Sequence, residues 1–142
     1  MRSNGEVRFI GRVKNVGELS KIEVFPEFCP GLDSLSDFSH IIVLYWFHLR
    51  VDEKERGVLQ VVPRRHLNAP KVGVFASRSP SRPNPIGLCV AKLDKIEGCI
   101  MTVKGLDAFE GSPIIDIKPY LARGDAVQNS SAPEWTTHGP ST

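Results

Sequence analysis

Short apolar, β-branched runs recur along this chain, each broken after about ten positions by Gly, Pro or polar clusters. VRFIGRVKNV (7–16) and KIEVF (21–25) predict the first two strands. In PEFCPGLDSLSDF (26–38), Phe28, Leu32, Leu35 and Phe38 fall at near-helical spacing and predict a short helix or turn. SHIIVLYWFHL (39–49) is apolar at alternate and intervening positions alike, which predicts a strand buried on both faces. VDEKERG (51–57) is a charged surface turn. VLQVV (58–62), VGVFA (72–76), IGLCVAKL (86–93), IMTVKGL (100–106) and IIDIKPYL (114–121) complete the series.

No long amphipathic helix separates these runs, so a doubly wound sheet is excluded. The expected fold is all-β: a single-domain antiparallel β-barrel of about seven to eight strands with short helical turns and no Rossmann domain. The barrel is expected over residues 1–124. Residues 125–142 form a polar tail, whose Trp135 can tie it to the barrel or to a partner subunit, or leave it frayed.

Composition adds little until charge is mapped. The 142 residues are 41% hydrophobic and 24% charged, ordinary for a globular protein. The longest apolar run, Ile41 to Phe47, has seven residues, too few for a membrane span, and MRSNGEVRFIG lacks the apolar segment of a secretory signal. Cys29, Cys89 and Cys99 have no metal-ligand spacing, and their odd number argues against a disulfide framework. A cytoplasmic protein without a metal is expected. The net charge is only +2, yet from Arg56 to Leu93 there is no acid and seven bases (Arg56, Arg64, Arg65, Lys71, Arg78, Arg82, Lys92), leaving −5 for the remainder. Such segregation is the footprint of a surface for a polyanion or a phosphate-bearing ligand, against the plainer reading of a solvated basic face.

The centre of that basic stretch is GVFASRSPSRPNPIG (73–87). Proline fixes its own φ and pushes the preceding residue into extended conformations, so Pro80, Pro83 and Pro85 also restrain Ser79, Arg82 and Asn84. A loop so stiffened loses little entropy on binding, and it carries Arg78 and Arg82, whose forked guanidinium groups suit carboxylate or phosphate. Pro80 to Pro83 also matches P-x-x-P, but the strand-like flanks argue against a disordered ligand segment. A rigid connector with no ligand remains the plain alternative.

GVFASRSPSRPNPIGL (73–88) closely resembles the signature of the TsaA-like family, which includes the tRNA (adenine-N6)-methyltransferases known as TrmO. FSHIIVLYWFH (38–48) and GLDAFEGSPIIDIKPYL (105–121) agree, so the resemblance runs collinearly from about residue 7 to residue 121. It implies a barrel-like homodimer that binds S-adenosyl-L-methionine and methylates N6 of threonylcarbamoyladenosine beside the tRNA anticodon. Carried over by position, it places His48, Leu49, Arg78, Leu88, Leu106 and Asp107 at the methyl donor. Arg64, Arg65, His66, Lys71 and Arg82 are left for RNA phosphates. The Gln-Pro-Gly-Leu element of bacterial members has no counterpart carried over here, since CPGL (29–32) aligns elsewhere. The short form looks like archaeal relatives.

Transfer from a sulfonium needs alignment more than a nucleophile, so the lack of a catalytic triad is no objection. For removal of the acceptor proton, Asp116 and Tyr120 are the candidates, with His40 and His48 behind them. Asp116 reads equally as a hydrogen-bonded structural group, and His40 as a core histidine. Two rival functions stand beside this one: a non-catalytic RNA- or nucleotide-binding barrel, and a methyltransferase acting on a small metabolite.

Overall fold

The alternation read from sequence becomes real strands in a computed structural model, which describes residues 3–139. Eight strands form: β1 (Gly11–Asn15), β2 (Leu19–Val24), β3 (His40–Trp46), β4 (Gln60–Val61), β5 (Val72–Gly73), β6 (Ile86–Glu97), β7 (Ile100–Lys104) and β8 (Pro113–Pro119). Six of them close a barrel in the order β1-β2-β7-β6-β3-β8, while β4 and β5 pair as a separate two-stranded ribbon. The expected barrel of seven to eight strands is thus corrected to six. The runs at 58–62 and 72–76 are strands, but each contributes only two residues to a ladder, too short to extend a barrel wall.

Inward positions follow the two-residue period. Val13, Ile22, Val24, Ile41, Val43, Met101, Val103 and Ile114 are all at most 2% exposed. Each such side chain contributes roughly 1.5–3 kcal/mol of burial. Strand β3 departs from expectation: Ile41, Val43 and Tyr45 are buried, but Ile42 and Leu44 opposite them are only half-buried. Its outer face is apolar without being covered. Gly11 has a steric reason, since a Cβ there would lie 2.2 Å from the Glu23 carbonyl oxygen on β2.

Two 3-10 turns, Pro26–Leu32 and Leu35–Asp37, replace the expected helix, because Pro30 within the first turn breaks any longer run. They bury Leu32 and Leu35. Cys29 of the first turn is joined to Cys99 of the β6–β7 hairpin by a disulfide, with Cα atoms 5.4 Å apart. This corrects the reading of the cysteines: an odd number leaves room for one pair, and Cys89 is the remaining free thiol, buried in the barrel.

The chain forms two compact units, one of residues 1–46 and 88–120, the other of residues 47–87 and 121–142. The first holds most of the barrel wall; the second holds the ribbon, the proline-rich loop and the tail. No helix among the described residues is long and apolar enough to cross a membrane.

In denaturant without reductant the protein should titrate one thiol, rising to three after reduction. Closing a 70-residue separation removes enough unfolded-chain entropy that reduction should cost about 4 kcal/mol, read as a lower urea midpoint. Three titratable thiols before reduction would exclude the pairing.

Candidate functional site

The proline-rich loop of the second unit is held from inside by its own serines. Ser77 Oγ donates to the Val74 carbonyl at 2.9 Å, Ser79 N–H donates to Ser77 Oγ at 3.3 Å, and Ser81 N–H donates to Ser79 Oγ at 3.2 Å. The spacing of two residues places each hydroxyl under the next amide, the local geometry that serine offers a turn. Arg82 folds back over this ladder, with Nη1 donating to the carbonyls of Ser77 and Ser79, both at 3.0 Å. Burial, and secondarily the cation of Arg78, pull the Arg82 guanidinium below its ordinary value. The two carbonyls compensate it.

The helical turn α1 (Glu53–Arg56) braces the loop from outside. Asp52 caps it, its carboxylate accepting from Glu55 N–H at 2.9 Å. Glu55 Oε2 accepts from Ser81 Oγ, and Arg56 Nη2 donates to the Pro80 carbonyl at 3.2 Å and to that of Arg50. Arg78 differs from Arg82. It is exposed and forms no hydrogen bond or ion pair among the described residues, so its fork is open to a ligand.

His48 and Leu49 lie in a turn beside this loop. Phe47 N–H donates to the Pro85 carbonyl at 2.8 Å, and Arg50 N–H closes the turn on the Phe47 carbonyl at 3.0 Å. His48 is half-buried and Leu49 exposed. The second unit thus brings His48, Leu49 and Arg78 onto hydrogen-bonded segments.

In the first unit, Leu106 is buried, and Asp107 is anchored by Tyr45 Oη, which donates to its backbone carbonyl. Leu88 faces outward on β6, 43% exposed. Next to it, Cys89 Sγ donates to the Gly105 carbonyl at 3.1 Å. Burial, chiefly, pushes the Cys89 thiol up; a hydrogen bond from the Asp107 backbone opposes this, and the Asp107 carboxylate reinforces it. The thiol is protonated at neutral pH and is no nucleophile.

Asp116 and Tyr120 sit elsewhere in the same unit. Asp116 Oδ1 accepts from Ile117 N–H at 2.9 Å and Oδ2 pairs with Lys118 Nζ at 2.9 Å. Asp116 lines a cavity of about 320 Å³ shared with Phe28, Leu32 and Leu35 of the 3-10 turns and with Phe38 just after them. Tyr120 N–H donates to the His40 carbonyl at 3.0 Å, and the two rings lie 6.3 Å apart. His40 opens β3, whereas Tyr45, which holds Asp107, is five residues further along, roughly 16 Å at strand rise. The structure therefore separates Tyr120 from Leu106 and Asp107.

The RNA candidates Arg64, Arg65, His66 and Lys71 occupy one loop of the second unit, Arg64, Arg65 and Lys71 being exposed. The tail packs on this loop. Trp135 meets the His66 ring edge-on at 5.5 Å, and His66 Nδ1 lies 2.5 Å from the His138 carbonyl, to which it donates. Gly139 has φ +86°, and a Cβ there would lie 1.9 Å from the Arg65 carbonyl oxygen, so only glycine passes. Sequence reasoning missed Glu55, Arg56 and Tyr45 as bracing residues. The i, i+2 serines at 77, 79 and 81 were the available signal for an internally bonded loop; nothing local marks Glu55 or Tyr45, whose partners are distant in sequence.

The tRNA-methyltransferase O N-terminal domain family matches residues 12–126. The chain belongs to this family. A protein of Methanothermobacter thermautotrophicus named "Probable S-adenosyl-L-methionine-binding protein" is 54% identical over 110 residues, 78% of this chain and 75% of that protein. The human tRNA (adenine(37)-N6)-methyltransferase is 45% identical over 102 residues, covering 72% of this chain but 22% of the human protein. The crystal structure of TrmO from Pseudomonas aeruginosa superposes with a TM-score of 0.72 at 26% identity, over 91% of this chain and 61% of that one. The longer relatives thus carry much that this chain does not span.

Removing the Arg82 fork tests the loop described above. Arg82→Met deletes two hydrogen bonds from a cation, so exchange of the Ser79 and Ser81 amides should rise about tenfold or more. Unchanged exchange would mean that the serines and prolines hold the loop alone.

Proposed function

We propose that this protein is an S-adenosyl-L-methionine-dependent methyltransferase that acts on N6 of an adenosine in tRNA, with threonylcarbamoyladenosine beside the anticodon as the acceptor. The observation that carries this is the open fork of Arg78 on a loop held by its own serines and Arg82 and by Glu55 and Arg56 of α1. Family membership and the names of the relatives support the donor and the substrate class.

The donor's chemistry fits the residue types. Its carboxylate suits the exposed Arg78 guanidinium, which gains two parallel hydrogen bonds at once. Its adenine suits apolar walls such as Leu88, Leu49 and the buried Leu106, and its ribose hydroxyls or ammonium suit His48 and Asp107. The donor supplies a methyl group on sulfonium sulfur, an already activated leaving group. As the N6–carbon bond forms, the sulfur–carbon bond breaks, its electron pair goes to sulfur, and the acceptor nitrogen gives up its proton. Holding the acceptor nitrogen in line behind the methyl supplies most of the acceleration.

Asp116 and Tyr120 were the expected proton acceptors. With both Asp116 oxygens engaged and Tyr120 at the His40 end of β3, their proposed part is to fix β8 and β3. The proton passes to solvent. Arg64, Arg65, His66, Lys71 and the remaining nitrogens of Arg82 meet RNA phosphates, giving affinity that falls with salt. A homodimer is proposed on the outward faces of β6 and β3, where Val90 is 44% exposed beside half-buried Ile42 and Leu44. The reading places the protein in the cytoplasm, where tRNA is modified.

Calorimetry of S-adenosyl-L-methionine binding, with Arg78→Ala beside wild type, tests the donor half. Losing charge-assisted hydrogen bonds to a carboxylate should weaken binding about 10- to 100-fold. No heat from wild type at millimolar donor ends the donor assignment. Mass spectrometry of tRNA nucleosides from cells lacking the gene tests the acceptor: methylated threonylcarbamoyladenosine should vanish. If it persists, the RNA-binding barrel or a metabolite methyltransferase takes its place.

A second pair of variants addresses the proton. Asp116→Asn and Tyr120→Phe should each lower kcat less than about tenfold, below the contribution typical of a general base. A loss of a hundredfold or more, with donor affinity intact, would restore either residue as the base.

A further inference from the structure

A second cavity lies within the second unit, and none of the residues assigned to the donor lines it. It has a volume of about 370 Å³ and is lined by Leu67, Asn68, Glu134, Trp135 and His138. Of these residues only Trp135 is half-buried and the rest are exposed, so the cavity is an open hollow at the surface. The cavity exists because the tail returns onto the basic loop: Gly139 passes the Arg65 carbonyl at a distance no side chain allows, and the His66–His138 hydrogen bond fixes the adjacent backbone. Trp135 is oriented by its edge-on contact with His66.

The lining offers groups that an unpaired base can use. An indole supplies a stacking surface, which unpaired bases use irrespective of sequence. Asn68 supplies an amide, the side chain that matches a donor–acceptor pair on adenine, and it is held at φ +59°. Glu134 supplies a carboxylate, which accepts from an exocyclic amine but repels a bare phosphate. Arg64 and Lys71, on the same loop as Asn68, supply cations outside the cavity for the flanking backbone. An apolar peptide would leave the amide and carboxylate unpaired, and a free phosphate would meet Glu134.

We infer that the cavity between Asn68 and Trp135 receives one unstacked base of a single-stranded RNA segment, adenine in preference to uracil, while Arg64 and Lys71 hold the adjoining phosphates. This rests on the RNA reading above and deepens it. It makes the tail a recognition element in its own right, separate from methyl transfer.

The test uses the full chain and two RNA probes of roughly 12 nucleotides, oligoadenylate and oligouridylate, within the usual span of single-strand sites. Wild type should bind oligoadenylate more tightly, with quenching of tryptophan emission. Trp135→Ala should weaken oligoadenylate binding by about tenfold or more, the equivalent of one lost stack, and abolish the quenching. Trp135→Phe should recover most of the affinity. Asn68→Gly keeps the backbone freedom that φ +59° requires, so the tail stays docked while the preference for adenine over uracil is lost. Arg64→Ala should lower the salt slope by about one without changing that preference.

If Trp135→Ala and Asn68→Gly bind both probes as wild type does, the pocket inference is overturned and the RNA reading survives. If adenosine monophosphate binds as tightly as the oligomer and Trp135→Ala removes it, the occupant is a free nucleotide and the inference is overturned in that form. If wild type binds neither probe at low salt while still binding S-adenosyl-L-methionine, the RNA reading itself falls.

Discussion

One guanidinium, that of Arg82, organises the segment on which the functional reading depends. A loop with three prolines cannot satisfy its own backbone through a ladder, since proline lacks the donor and extends its neighbours. Its carbonyls would otherwise face water in many arrangements. Arg82 gathers two of them, the serine hydroxyls take the available amides, and α1 closes the outer side through Glu55 and Arg56. The neighbouring cation Arg78 makes this arrangement costlier for Arg82, yet its own fork is left unspent. Two arginines four residues apart thus divide the work, one inward and one outward.

The barrel was largely legible because alternation is a local signal. Every apolar run became a strand, and the bounds differ by only a few residues. What alternation does not carry is partnership. Whether a run of five joins the barrel or pairs in a separate ribbon depends on how many consecutive residues reach a neighbour, and VLQVV and VGVFA offer only two each. The disulfide was illegible for the same reason: Cys29 and Cys99 meet only after the 3-10 turn and the hairpin have folded.

The site was legible in part. Arg78 and Arg82 were visible as a pair but not as opposites, because sequence shows charge and not direction. Asp116 drew attention as an acid among apolar residues; its contacts with an adjacent amide and a lysine two positions on become visible only in the folded chain. Asp107 was expected at the donor by resemblance, and only the folded chain shows Tyr45 reaching across from β3 to hold its carbonyl. The tail was polar enough to pass for a frayed end. Its Gly139 is ordinary in sequence and becomes informative only beside the Arg65 carbonyl.

The bond between Cys29 and Cys99 makes a covalent ring of the intervening polypeptide, and that ring contains the whole stretch from residue 47 to residue 87. A protease that cuts the basic loop or the proline-rich loop therefore opens the ring without dividing the molecule. Both halves of the barrel wall stay joined through sulfur, so a nicked chain can hold its sheet together and part into fragments only under reducing conditions.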